Sequence, residues 1–336
     1  MNMIPESNGL SRLKMKQKKS RGKLGKRAIV TIVFILLIGM IFQSISNFIG
    51  GEKIERVLNY VKVDNSRIEY QVKGTGDYTL VFDGAIGTNL YQWDGVIEGI
   101  DENLKVKTFI YNRNGYGFSD AGEYKSIKEQ AETLKTLLKK SGVSGKIIFV
   151  SEEYGSLIAT NFTNLYPELV SGMILIKPLN EEVVKSNDYK QKMKMEYYKS
   201  IIQTTGSDFG LTTILDEFQL TYEVNGFKES LTEKKREEYD VHKTKKNFRQ
   251  AIQNELSALY FYDDESQVPA LMANKPLYII SNDENDSISK LGDERNTTIY
   301  KTGSTEDVIS ITDKETVIDA ITTVVKEVKR LDNTKK

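Results

Sequence analysis

No cysteine occurs anywhere in the 336 residues. That absence excludes disulfide staples, thiol nucleophiles and cysteine-ligated zinc or iron–sulfur centres. Histidine is almost as scarce: His242 is the sole one, which leaves no zinc signature. One tryptophan and five prolines are present, and the summed charge is zero, with 47 bases against 47 acids. The balance hides an asymmetry. Nine Lys and Arg, from Arg12 to Arg27, crowd the first 27 residues with Glu6 as the lone acid, so the remainder is net acidic. An acidic body argues against nucleic acid as a partner.

Charge then disappears until Glu52. Ala28 to Ile49 spans roughly 33 Å as a helix, close to a bilayer's hydrocarbon thickness. The pattern predicts a basic cytoplasmic leader over 1–27 and a transmembrane signal anchor over 28–49. By the positive-inside rule the body is extracytoplasmic, in a single-pass protein of the cell membrane. A cleaved signal peptide is the rival reading; the long basic region and the weak small-x-small site Ser44-Ile45-Ser46 count against it.

Beyond the anchor, Glu55–Val63 and Arg67–Val72 alternate apolar and polar residues as antiparallel strands do. Short apolar runs follow at Tyr78–Phe82, Lys105–Tyr111, Lys146–Val150, Gly172–Ile176, Leu277–Ile280 and Thr297–Tyr300. Helical patterns at Ile127–Leu138, Tyr154–Leu165 and Glu315–Val328 lie between or after them. Strands alternating with helices predict an α/β protein: a mostly parallel eight-stranded sheet covered on both faces, with an antiparallel edge. Residues 180–268 break the rhythm and read as several helices, placed to cover a crevice at the strands' carboxyl ends. The expected organisation is a core of 50–179 and 269–330, a helical lid at 180–268, and a polar tail at 331–336. The charge run Glu233–Glu238 reads as a solvated helix face, and His242 as a surface histidine.

The informative stretch is Ser151-Glu152-Glu153-Tyr154-Gly155-Ser156, between the strand Lys146–Val150 and the helix from Tyr154. Small-x-Ser-x-Gly at such a junction makes a strained turn that thrusts a nucleophilic hydroxyl out above the sheet. Here Ser151 and Gly155 hold the small positions and Glu153 stands at the nucleophile's place. Ser151 and Ser156 read as packing residues.

Four blocks in order make the chain resemble the α/β-hydrolase superfamily over roughly residues 60 to 328. They are Phe82–Thr88 with Tyr91-Gln92-Trp93, Tyr111–Asp120, Val150–Ser156, and Tyr166-Pro167 followed by Val170–Ile176. The second is similar to the family's Tyr-Asp-Arg-x-Gly-x-Gly-x-Ser-Asp block, with Asn112 replacing the aspartate. The resemblance implies an α/β-hydrolase fold, with an oxyanion-hole amide from the loop after the third strand. It also implies a nucleophile, an acid and a histidine in that chain order. The nucleophile's position is Glu153, the acid's is Asp283 or Asp286, and the histidine's is Glu306 or Asp307. An alternative acid position holds Lys177.

With nucleophile and histidine both replaced, the resemblance implies a degenerate member without Ser-His-Asp catalysis. Its expected role is binding a small ligand under the lid, or a protein partner, as the superfamily's non-enzymatic neuroligins and gibberellin receptors do. The alternative is an esterase-like hydrolase with a carboxylate site centred on Glu153. The former pocket is expected to involve Gly84, Ala85, Glu152, Glu153, Tyr154 and Lys177. Glu153 folds either into the oxyanion pocket or against Lys177. No cofactor or metal is expected.

Overall fold

Two residues fix the first turn. Asp64 and Asn65 take φ of 48° and 66°, the left-handed pair that a tight hairpin needs and that Asp and Asn tolerate. They join β1 (Asn59–Val63) antiparallel to β2 (Ser66–Gly74), with Val63 opposite Ser66. This computed structural model describes residues 9–52, 59–281, 286–303 and 307–334. The expected strand start at Glu55 therefore lies outside the described residues, as do the first eight residues of the leader and the tail's last two residues.

Preceding the hairpin is α1 (Gly9–Glu52). Its segment Lys23–Ile45 is long and apolar enough to cross a membrane. Almost all of its side chains are exposed, with Gln43 buried.

The chain continues through β3 (Tyr78–Asp83), α2 (Asp94–Gly99), β4 (Lys107–Tyr111), α3 (Ile127–Lys140), β5 (Lys146–Glu152), α4 (Tyr154–Leu165) and β6 (Val170–Ile176). Six helices then intervene: α5 (Glu181–Val184), α6 (Asn187–Gly206), α7 (Leu211–Glu217), α8 (Phe227–Ser230), α9 (Glu233–Lys243) and α10 (Lys246–Tyr260). The core closes with β7 (Leu277–Ser281), β8 (Thr297–Lys301), α11 (Ile309–Thr312) and α12 (Lys314–Thr334). The eight strands form one sheet in the order β1-β2-β4-β3-β5-β6-β7-β8, parallel from β4 onward. Each anticipated strand is present, and the antiparallel edge is the β1–β2–β4 side.

The central strands β3, β5 and β6 are buried almost throughout, because helices cover both faces. Gly172 in β6 lets α12 close in: an added Cβ would meet Val324 and Val328 at 2.8 and 3.0 Å. On the other face α3 starts with a reciprocal capping box between Ser126 and Glu129.

The six-helix segment is fastened to the sheet by buried polar contacts. Arg113 bonds Asp83 of β3, and its Nε reaches Glu255 of α10 at 2.6 Å. The Tyr239 hydroxyl of α9 donates to the Gly87 carbonyl at 3.1 Å. Glu238 corrects the expectation of a wholly solvated run at Glu233–Glu238. It is 6% exposed and accepts from the Tyr91 hydroxyl, whereas Glu233, Lys234, Arg236 and Glu237 remain exposed. One face of α9 has to pack, and Glu238 falls beside Tyr239 on that face.

Candidate functional site

The turn between β5 and α4 is strained where the motif places its reactive residue. Glu153 has φ 49° and ψ −112°, a region that costs a non-glycine residue about 1–3 kcal/mol. Gly155 must be glycine, since an added Cβ would lie 2.4 Å from the Asp83 carbonyl oxygen. The helix therefore starts tight against β3, and the Glu153 side chain is lifted off the sheet's carboxyl edge.

Its carboxylate does not extend into open space. Oε2 accepts from the Tyr154 amide at 2.8 Å and from the Ile86 amide at 3.2 Å. One donor follows the elbow residue and the other belongs to the loop after β3, the pair expected to cradle an oxyanion. Of the two placements anticipated for Glu153, the oxyanion pocket is the one adopted. Among the described residues, Oε1 has no hydrogen-bond partner. Burial pushes the Glu153 carboxyl above its ordinary range, while the two amides, Arg113 and Lys177 pull it back.

A cavity of about 480 Å³ opens over this residue. The sheet side contributes Ala85, Ile86, Glu153, Lys177 and Asp307; α5, α6 and α10 contribute Val183, Tyr189, Met193, Leu256 and Leu259. Tyr222 and Val224, from the stretch between α7 and α8, complete the apolar wall. Burial raises the phenol pKa values of Tyr189 and Tyr222, helped by the Glu153 charge, so both hydroxyls stay protonated near neutrality. The Lys177 ammonium donates to the Asp307 carbonyl at 3.4 Å. Asp307 is exposed, and its carboxylate accepts from the Asn225 side chain at 2.8 Å. The structure thus places Ala85, Glu153, Lys177 and Asp307 around one cavity.

Other expectations are corrected. Glu152 does not face the cavity. Successive strand residues point to opposite faces, so Glu152 turns into the core, where it is 0% exposed. There it accepts from the Ile309 and Ser310 amides, the Ser310 hydroxyl and the Gln92 side chain. Glu152 and Glu153 therefore cannot share one cation. Tyr154 contributes its amide alone; its ring is buried beneath the Arg113 guanidinium, and its hydroxyl accepts from Gln130 at 2.7 Å. Gly84 contributes its carbonyl, which accepts from the Gly155 amide and from Arg113.

His242 is half-buried, not a surface residue. Its ring meets Phe118 edge-on at 4.7 Å, and its buried Nε2 has no hydrogen-bond partner among the described residues. Burial, aided by Lys245, pushes its pKa down to about 3. It does not line the cavity, so it offers that site no base.

Asp283 and Glu306 lie outside the described residues, and Asp286 is described only as backbone of a helical turn, Asp286–Leu291. Ser151 and Ser156 are fully buried; the Ser156 hydroxyl donates to the Glu153 carbonyl and accepts from the Leu179 amide. Among the described residues no three His, Asp or Glu side chains gather to hold a metal ion.

Sequence reasoning missed Ile86 as the second amide, because nothing in Gly84-Ala85-Ile86-Gly87 says which N–H points inward. Ala85 is excluded by its own bond, donating to Gln92 Oε1 at 3.2 Å. It also missed Tyr189 and Tyr222, whose positions depend on helix packing. Asn112 is explained by its partners: it accepts from the Leu90 amide and donates to the buried Glu69 carboxylate. An aspartate could do only the first.

A family model described as the alpha/beta hydrolase fold matches residues 78–300. Solved structures similar to this one include the Cif epoxide hydrolase from Acinetobacter nosocomialis, with a TM-score of 0.64 and 13% identity, covering 85% of this chain and 96% of that one. An alpha/beta hydrolase enzyme from a Medee basin deep-sea metagenome library gives 0.58 at 17% identity, with 78% and 95% coverage. The epoxide hydrolase CorEH gives 0.62 at 15% identity, with 80% and 98% coverage. No curated protein matches the sequence.

Proposed function

Because the chain belongs to the alpha/beta hydrolase fold family, we propose that it keeps the family's pocket for binding and has lost Ser-His-acid catalysis. In this reading α1 anchors the chain in the cell membrane, the leader 1–27 is cytoplasmic, and the domain lies outside. Residues 180–268 act as a lid over a ligand site, with a protein partner as the other possible occupant. One observation supports it above the rest: the Glu153 carboxylate fills the amide cradle that would otherwise stabilise a developing oxyanion. Catalysis requires those donors to be available to the transition state. A general base near neutrality is also needed, and the chain's histidine lies elsewhere with a depressed pKa.

The test uses the full chain in detergent. Glu153→Ser is expected to give no more turnover of short-chain aryl esters than the parent, because no imidazole can activate the hydroxyl. A rapid esterase from that single change would sink the proposal. The ligand arm is thermal stabilisation by small amphiphiles, which should be weakened by Tyr222→Ala.

The unpartnered Oε1 favours a second reading. With Oε2 held by two amides, Oε1 faces the cavity as a nucleophile, and Tyr189 and Tyr222 are protonated donors beside it. Attack on an electrophilic carbon, with its bond to a leaving oxygen breaking and Tyr189 or Tyr222 protonating that oxygen, would leave an ester at Glu153 that water must cleave. Hydrolysis abolished by Glu153→Gln, with a mass increment on Glu153 in the parent, would establish this reading in place of the first.

A further inference from the structure

Within α1, the apolar segment is covered at one place. Gly39 and Gln43 are four residues apart and so share a helix face. A Cβ at Gly39 would lie 2.0 Å from the Phe209 carbonyl oxygen. Buried Gln43 accepts from the Thr213 hydroxyl at 3.2 Å. A small residue for close approach beside a polar residue that bonds across is how helices associate in lipid. Both positions fall inside Lys23–Ile45. Counted back from Ile45 along the helix, Gly39 sits roughly 9 Å and Gln43 roughly 3 Å below its end. Any membrane around this part of α1 also surrounds the segment that touches it.

That segment, the end of α6 with α7 and the turn after it, turns Asp216 inward and several apolar groups outward, with Asp208 and Glu217 at the surface. Asp216 faces Lys243 at 2.9 Å and Arg249 at 3.5 Å, while Asp208 is paired with Lys246. Ile202, Leu211, Ile214, Phe218 and Leu220 are exposed. Leu211, Ile214 and Phe218 recur at helical spacing, forming one stripe. Phe218 is 71% exposed, more than any other large apolar side chain among the described residues.

We propose that residues 202–220 are embedded in the outer leaflet of the bilayer that α1 crosses, so that lipid acyl chains cover this apolar stripe. The domain is then held lid-down on the membrane instead of swinging free on a tether. The proposal rests on the anchoring of α1. Its geometry agrees with the insertion depth of interfacial helices, about 5–10 Å.

The absence of native cysteine makes the test direct. Single substitutions Ile35→Cys in α1, Ile214→Cys and Phe218→Cys in the lid, and Lys139→Cys on exposed α3 are labelled with an environment-sensitive fluorophore. The full chain is reconstituted in phosphatidylcholine–phosphatidylglycerol vesicles carrying acyl-chain spin quenchers. Quenching at positions 35, 214 and 218, but not 139, is the expected result. A Leu220→Asp change should reduce quenching at 218 by at least half while near-UV circular dichroism is retained. Quenching at 35 alone overturns the proposal and leaves the anchor standing. Quenching at none overturns the anchor with it. Cross-linking between two chains through position 218, without quenching there, assigns the stripe to a second copy and also overturns it.

Discussion

Glu152 and Glu153 are chemically identical neighbours with opposite fates, because the strand's alternation sends one to the core and the other to the cavity. For Glu152, burial outweighs four hydrogen-bond donors and pushes its pKa up from 4.5 to about 7. An acid with a raised folded-state pKa makes the folded state bind more protons between the two values. Its contribution is therefore most favourable below about 4.5 and is lost as pH rises through about 7. The cost above that window is on the order of 3 kcal/mol. Urea midpoints measured at pH 5 and pH 8 should show the parent losing stability with rising pH. Glu152→Gln, whatever its absolute stability, should show a flatter dependence. An unchanged slope would mean that Glu152 is ionised throughout.

At the scale of elements, Arg113 is the fastener between the sheet and the six-helix segment. Following β4, it reaches Asp83 at the end of β3, the Gly84 and Ala85 carbonyls, and Glu255 in α10. Tyr116 also donates to Glu255, at 2.7 Å. Burial pushes the carboxyls of Asp83 and Glu255 up and Arg113 pulls them back. A partner removed from such a cluster leaves buried charge uncompensated. Arg113→Ala should cost about 3–5 kcal/mol in denaturant unfolding. Amide exchange should rise first in α10, since Glu255 loses its cation there. Uniform loss of protection without a focus in α10 would show that Arg113 stabilises the whole sheet and not the contact with α10.

For the whole molecule, the question is what α1 does for the domain that follows it. All eight strands and the cavity lie after residue 58, so a fragment beginning at Asn59 should fold cooperatively. It should nevertheless associate as concentration rises, because removing α1 uncovers Phe209 and Thr213 beside the exposed Phe218 stripe. Sedimentation velocity should show larger species for the fragment, and Phe218→Asp with Leu220→Asp should return it to a monomer. A fragment that stays monomeric at every concentration would remove the apolar stripe as a cause of association.

The sequence by itself determined the sheet and the elbow. Short apolar runs mark six strands and apolar–polar alternation marks the two of the antiparallel edge, because central strands covered on both faces read as near-continuous apolar runs while half-exposed strands alternate. The spacing from Lys146 to Leu165 locates the strained turn, because Gly155 admits no side chain against Asp83. The apolar length after nine cations showed a helix able to span a bilayer. The tertiary structure alone decided what each polar side chain touches. It placed the Glu153 carboxylate on the Tyr154 and Ile86 amides, sent Glu152 to Ser310 across 158 residues of chain, and buried His242 against Phe118. It also brought the Phe209 carbonyl to Gly39. Local spacing fixes which face of a strand or helix a residue takes, but the partner waiting on that face comes from distant chain, which periodicity cannot register.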